Sequence, residues 1–224
     1  QYIGHGDPQN GNLASGQLYT VSFLFSVVCM AVALVFDQPL LQLLFGQVEP
    51  DVMEASLIYL RISAYSYPAL AVYNAGAALY RSMSKTHVTM NVSLVMNAIN
   101  VVGNAIGIFV LHAGVAGVAW PSTISRMVAA VIMTVLCFSK KNSIYLVWKN
   151  ILTWNGSMIR RLLGIAVPNS IENGLFQLAK VALSSITAMF GTVQIAANGV
   201  AQSIWSLAAL VGGALGPAFI TVIG

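Results

Sequence analysis

The residues best placed to do chemistry lie in one apolar run, Arg160 to Phe190, RRLLGIAVPNSIENGLFQLAKVALSSITAMF. The run carries an acid, Glu172, and a base, Lys180, within a length that otherwise reads as a membrane-spanning helix. Counted at 1.5 Å per residue from Arg161, Glu172 lies roughly 16 Å in, near the middle of a hydrocarbon core about 30 Å thick. Lys180 lies about 12 Å further on. An ionisable group at that depth costs roughly 2.5–3.5 kcal/mol on insertion scales, so it faces a bundle interior or a wet cavity. A carboxylate there is relieved by a proton, a sodium ion or an organic cation, and that is binding and exchange chemistry. Glu172 is accordingly an acid whose charge a bound cation would neutralise. Lys180 is its candidate counter-ion, reached through a bend or a neighbouring helix. Along one straight helix the two stand roughly 80° apart.

Around them Asn169, Asn173, Gln177 and Lys180 follow i, i+4, i+8, i+11 spacing and form one polar stripe, with Glu172 at its edge. Pro168 removes a backbone donor one turn before Glu172 and predicts a kink. Two further amide stripes recur at helical spacing. They are Asn97, Asn100 and Asn104 in one run, and Gln194, Asn198 and Gln202 in another. Amides in lipid need partners, so these stripes face other helices or water, either as interhelical glue or as the lining of a cavity. Arg126 falls in mid-run and needs pairing or hydration, with no evident carboxylate for it. Arg61 is expected to reach outward to Asp51 or Glu54. Gly103 and Gly107 form a GxxxG, and Gly212, Gly213 and Gly216 cluster before Pro217; both read as close-packing or bending sites.

The elements that position these residues are apolar helices. Hydrophobic residues make up 58% of the chain and charged residues 7%, too few charges to cover a soluble domain of 224 residues. The class is an all-α polytopic membrane protein. Six runs are long enough to span, at roughly 14–36, 53–79, 88–111, 114–138, 160–190 and 192–222. Pro68 and Pro121 predict kinks in the second and fourth. Arg81, Lys85, Lys140, Lys141, Lys149, Arg160 and Arg161 all lie in or beside the second and fourth loops, and the first loop carries Asp37, Glu49 and Asp51. The positive-inside rule puts the basic loops and both chain ends in the cytoplasm. SIYLVWKNILTW, in the fourth loop, reads either as an amphipathic interfacial helix joining two bundles or as an aromatic-belt extension of a helix end.

Several functions are excluded by what the chain lacks. There is no GxSxG, HExxH or P-loop and no His or Cys cluster, so no enzyme signature stands. The net charge of +4 is confined to particular loops and is no nucleic-acid footprint. Cys29 and Cys137 read as buried free thiols, and His5, His87 and His112 as solvated residues with no role. With no initiator Met, the chain is expected to be part of a longer protein, with further helices completing the bundle.

AVPNSIENGLFQLAKV followed by FGTVQIAANGVAQSI resembles the seventh and eighth helices of bacterial multidrug and toxic compound extrusion (MATE) transporters. YLRISAYSYPALAVYNAGAALYRSMSKT, MNVSLVMNAINVVGNAIGIF and GVAGVAWPSTISR are similar to their fourth, fifth and sixth helices, and QYIGHGD to the cytoplasmic end of the second. The resemblance implies a twelve-helix protein of two pseudo-symmetric lobes. Residues 1–137 would belong to the N-terminal lobe, 138–158 to a cytoplasmic inter-lobe linker, and 159–224 to the start of the C-terminal lobe. It implies a bacterial inner-membrane exporter of small amphipathic cations in exchange for Na+ or H+, with no cofactor beyond the coupling ion. Its partners would be substrates and membrane lipids, with no nucleic acid. A membrane-embedded carboxylate in the seventh helix of some members takes part in cation binding, and Glu172 is the residue here that could correspond. Two other functions remain open. One is a flippase for lipid-linked saccharides, whose anionic cargo would favour Arg126 and Lys180. The other is a non-transporting scaffold in which the buried charges only hold helices together.

Overall fold

The structure is a computed structural model that describes residues 7–45 and 49–223, and it is helical almost throughout, with no strand among the described residues. His5, Gln47 and the surroundings of Gly212, Gly213, Gly216 and Pro217 lie outside the described residues.

Helix α1 spans Pro8–Val35, with Pro8 in its first turn and the Asp7 side chain accepting from the Asn10 N–H as N-cap. A short α2, Asp37–Phe45, follows at its far end. The expected single span over 53–79 is instead two helices, α3 (Pro50–Ala64) and α4 (Tyr67–Ser82). Pro68 is the cause, since its ring cannot donate to Ala64 and crowds the preceding turn. Helix α5 covers Thr86–Ala105 and closes in a π-turn at Ile106–Val110. Helix α6 is Ala116–Cys137 and absorbs Pro121 without ending. The linker holds only a one-turn α7, Trp148–Leu152, much shorter than the amphipathic interfacial helix that is one of the two readings of its sequence. Two long helices close the chain, α8 (Gly156–Ala188) and α9 (Thr192–Ile223). Helix α8 runs through Pro168 without a break.

Among the described residues, α1, α5 with its π-turn, and α6 are both long and apolar enough to cross a membrane. Helices α3 and α4, of 15 and 16 residues, are each too short to be counted with them. With 33 residues, α8 reaches about 50 Å, but its polar stripe lowers its apolarity.

Helices α1, α4, α5 and α6 pack into one bundle. Its core is built on small residues, Ala75, Ala77, Ala129 and Ala130, around Tyr19, Tyr80, Met133 and Cys137. Small side chains let helix backbones approach where lipid offers no hydrophobic drive. Helix α8 lies against α1, α2 and α9, and α9 against α4. Cys137 is buried and Cys29 half-buried, and neither is in a disulfide.

Candidate functional site

The break between α3 and α4 frees polar backbone, and α6 answers it. The Ser66 N–H turns back to the Ser63 carbonyl, which leaves the Ile62 carbonyl without its helical donor. The Thr123 hydroxyl donates to that carbonyl at 3.1 Å. Ser66 is fully buried; its hydroxyl donates to Ser63 at 2.7 Å and accepts from Arg126 Nη1 at 2.8 Å. The mid-span Arg126 thus finds a hydroxyl at a helix break rather than a carboxylate. Arg61 also departs from expectation, since its Nε donates to Asp37, at the start of α2, and not to Asp51 or Glu54. Beside the break, α2, α3 and the entry to α6 border a cavity of about 610 Å³, with Asp51, Tyr59, Ser63 and Tyr67 in its wall. The Ser63 hydroxyl is buried there without a hydrogen-bond partner. No sequence pattern singled out this cavity.

On α5 the three asparagines of the stripe have different surroundings. Asn100 donates to the Ser122 hydroxyl of α6 at 2.9 Å, and Asn104 donates to Asn100 at 3.1 Å. Asn97 is exposed. Alongside, a Cβ on Gly103 would stand 2.6 Å from the Pro121 ring, and one on Gly107 would stand 2.1 Å from the Gly117 carbonyl oxygen. The α5–α6 contact is therefore a glycine-to-backbone approach with amide hydrogen bonds beside it.

The second stripe stands on α8. Glu172, Asn169, Asn173 and Gln177 are all exposed on this helix, and Asn173 donates back to Asn169 at 2.8 Å. Asn198 and Gln202 are half-buried on α9. Lys180 is turned toward α9, and its ammonium lies over Phe176 and over Trp205. Trp205 is a neighbour that spacing along α8 could not reveal. The α5 and α8 stripes are not brought together, because α5 packs on α4 and α6 while α8 packs on α1, α2 and α9. Among the described residues, no group of three His, Cys, Asp or Glu that could hold a metal is formed.

The linker between α6 and α8 is tied to the bundle by polar side chains of α1. Gln17 is fully buried and bridges three linker groups. Its amide donates to the carbonyls of Asn150 at 2.7 Å and Thr153 at 2.5 Å, and its carbonyl accepts from the Asn155 N–H at 3.1 Å. Thr20 donates to Ile151, Asn12 accepts from the Tyr145 N–H, and Gly16 lies directly against Asn150. Across the same end, Asn142 bonds Lys85 and Tyr80, and Trp148 stacks on Phe138 with ring centroids 4.7 Å apart. The basic loops therefore share one end of the bundle.

Residues 1–106 match the MatE family model. Over 207 residues the chain is 25% identical to a Bacillus subtilis (strain 168) protein described as "Uncharacterized transporter YisQ", covering 91% of this chain and 45% of that protein. It is 28% identical over 197 residues to the "Probable multidrug resistance protein YoeA" of the same organism, covering 85% of this chain and 42% of the relative. The chain spans less than half the length of these curated relatives. An outward-facing multidrug resistance MATE family transporter of the MOP superfamily superposes with TM-score 0.78 at 17% identity, over 99% of this chain and 47% of that one. An inward-facing structure described in the same words superposes with TM-score 0.68 at 18% identity, over 84% of this chain and 41% of that one. At these identities the superpositions speak to the fold.

Proposed function

We infer that this chain is part of a MATE family transporter and that the whole protein is a secondary active exporter. Its cargo is small amphipathic cations, exchanged against Na+ or H+ by alternating access in the bacterial inner membrane. Residues 1–137 belong to one lobe, 138–158 form a cytoplasmic linker, and 159–224 open the second lobe. The observation that carries this reading is Glu172, set at mid-length on the 33-residue α8 beside Asn169 and Asn173. A carboxylate at membrane depth is stabilised by whichever cation neutralises it, so a coupling ion and a cationic cargo compete for it in turn. The amides beside it supply oxygen donors that suit sodium, a hard cation. Coupling then consists of one charge that is neutralised alternately from the two sides of the membrane.

The test is drug efflux from vesicles under an imposed ion gradient. Glu172→Gln keeps shape and hydrogen-bonding capacity while removing the charge, and is expected to abolish ion-coupled export without loss of insertion. Glu172→Asp is expected to keep part of the activity with altered pH or sodium dependence. Wild-type export by Glu172→Gln would make Glu172 a structural residue.

The flippase reading draws on Arg126 and Lys180. Both contact neutral groups of this chain, Arg126 the Ser66 hydroxyl and Lys180 two aromatic rings, and so keep their positive charge. The carboxylate of Glu172, at mid-length on α8, repels an anionic headgroup, and that favours the exporter.

A further inference from the structure

Lys180 Nζ lies 4.8 Å from the ring centroid of Phe176 on its own helix and 4.8 Å from that of Trp205 on α9. An ammonium held by two π-faces is attracted by both ring quadrupoles, and indole is the strongest of the side-chain π-donors. The rings are not sealed off around it, since Phe176 is 56% exposed and Trp205 is 53% exposed. Glu172, Phe176 and Lys180 follow i, i+4, i+8 spacing along α8. A carboxylate therefore stands one turn from the ring pair on one side, and the ammonium's stem is anchored one turn away on the other.

Paired aromatic faces with a carboxylate nearby are the chemistry that recognises organic cations such as quaternary ammonium groups. Here the cation between the rings is the protein's own. We propose that Phe176 and Trp205 form an organic-cation site with Lys180 as its tethered resident, which an incoming cation displaces. The four-carbon stem lets the ammonium swing out to water or headgroups without moving either helix. Displacement sets a selectivity rule. A cargo must carry a positive charge that prefers the rings to water more strongly than a well-hydrated ammonium does. Bulky, weakly hydrated onium ions meet that condition, and neutral amphiphiles do not. The proposal rests on the exporter reading for its biological sense, while the binding it asserts is separable from transport. If Lys180 instead only staples α8 to α9, its removal loosens the helix pair and offers a cation nothing.

The test is equilibrium binding of tetraphenylphosphonium to the intact protein in lipid nanodiscs, with empty nanodiscs subtracted. Lys180→Met empties the site and is expected to tighten binding about 3- to 30-fold, the range set by losing one competing cation–π contact. Lys180→Arg is expected to weaken binding relative to wild type, because a weakly hydrated guanidinium stacks better on the rings than an ammonium does. Trp205→Leu is expected to weaken it at least about tenfold. Unchanged or weaker binding in Lys180→Met overturns the proposal. If that variant does not insert, unchanged binding in both Lys180→Arg and Trp205→Leu overturns it instead. The affinity order Arg, Lys, Met surviving where vesicle export fails would remove the exporter reading and leave the site standing. Normal export with no such order would remove the site alone.

Discussion

Arg126 on α6 donates to the hydroxyl of Ser66, 2.8 Å away, where α3 gives way to α4. A mid-membrane guanidinium is thereby spent on holding a helix break in shape, with Thr123 securing the freed Ile62 carbonyl beside it. Ser66→Ala removes a charge-assisted bond in a buried place and is expected to destabilise the protein by about 1.5–3 kcal/mol. Ser66→Thr, which keeps the hydroxyl, is expected to retain most of that stability. Thermal unfolding in detergent separates them. Equal melting of Ser66→Ala and wild type would mean that Arg126 is served by another partner.

The clamp of α1 on the linker makes a sharper prediction. Gln17→Leu removes the partner of two carbonyls and one N–H of the linker, on half-buried Asn150 and Asn155 and exposed Thr153, an expected loss of about 1–3 kcal/mol. Gly16→Ala acts on the same contact by steric means, since its Cβ would stand 2.8 Å from Asn150. Both variants are expected to expose residues 148–155 to limited proteolysis in inverted vesicles, where the wild type resists. Resistance in both would mean that the linker is held chiefly by its other bonds.

Acid should unfasten the opposite end of the bundle. The Arg61 guanidinium bonded to Asp37 holds that carboxyl below the usual carboxylate range, helped by the Gln38 N–H and opposed by desolvation. Because the folded-state value is the lower one, the pair's contribution is complete above the ordinary carboxylate pKa of about 3.9. It is lost as the pH falls through the depressed value. Asp37→Asn is therefore expected to melt below wild type at neutral pH, with the gap closing as the solution is acidified below about pH 4. A gap that stays constant through that range would separate the stability of α2 from this ion pair.

Orientation can be read with an impermeant thiol reagent in a cysteine-free background. Asn142, in the basic loop, is buried against Lys85 and Tyr80 and makes a poor reporter, whereas its neighbour Ser143 is exposed. Glu49 is exposed in the acidic loop. Seven loop lysines and arginines at one end predict that Glu49→Cys labels in whole cells and that Ser143→Cys labels only after permeabilisation. The reverse pattern would invert the topology.

The sequence by itself determined the all-α membrane class, the approximate runs that become helices, the prolines able to disturb them and the charged end of the bundle. Each of these follows from local quantities: hydropathy over a span, the loss of one N–H at a proline, and the count of lysines and arginines in a loop. Only the structure decided that Pro68 breaks its helix and that Pro121 and Pro168 do not. The sequence also marked Arg61, Arg126 and Lys180 as residues in need of partners, because burial of a charge has a cost wherever it occurs. Which partner answers was decided by the tertiary structure alone. Asp37 stands 24 residues from Arg61, Ser66 stands 60 from Arg126, and the Thr153 carbonyl stands 136 from Gln17. Such pairings depend on the rotation and register of one helix against another, and many choices of partner satisfy a single chain's pattern equally well. The linker shows the same limit in its backbone. Its amphipathic spelling suits a longer helix, yet only Trp148–Leu152 coils, because side chains of α1 take up the carbonyls and N–H groups that a longer helix would have paired within itself.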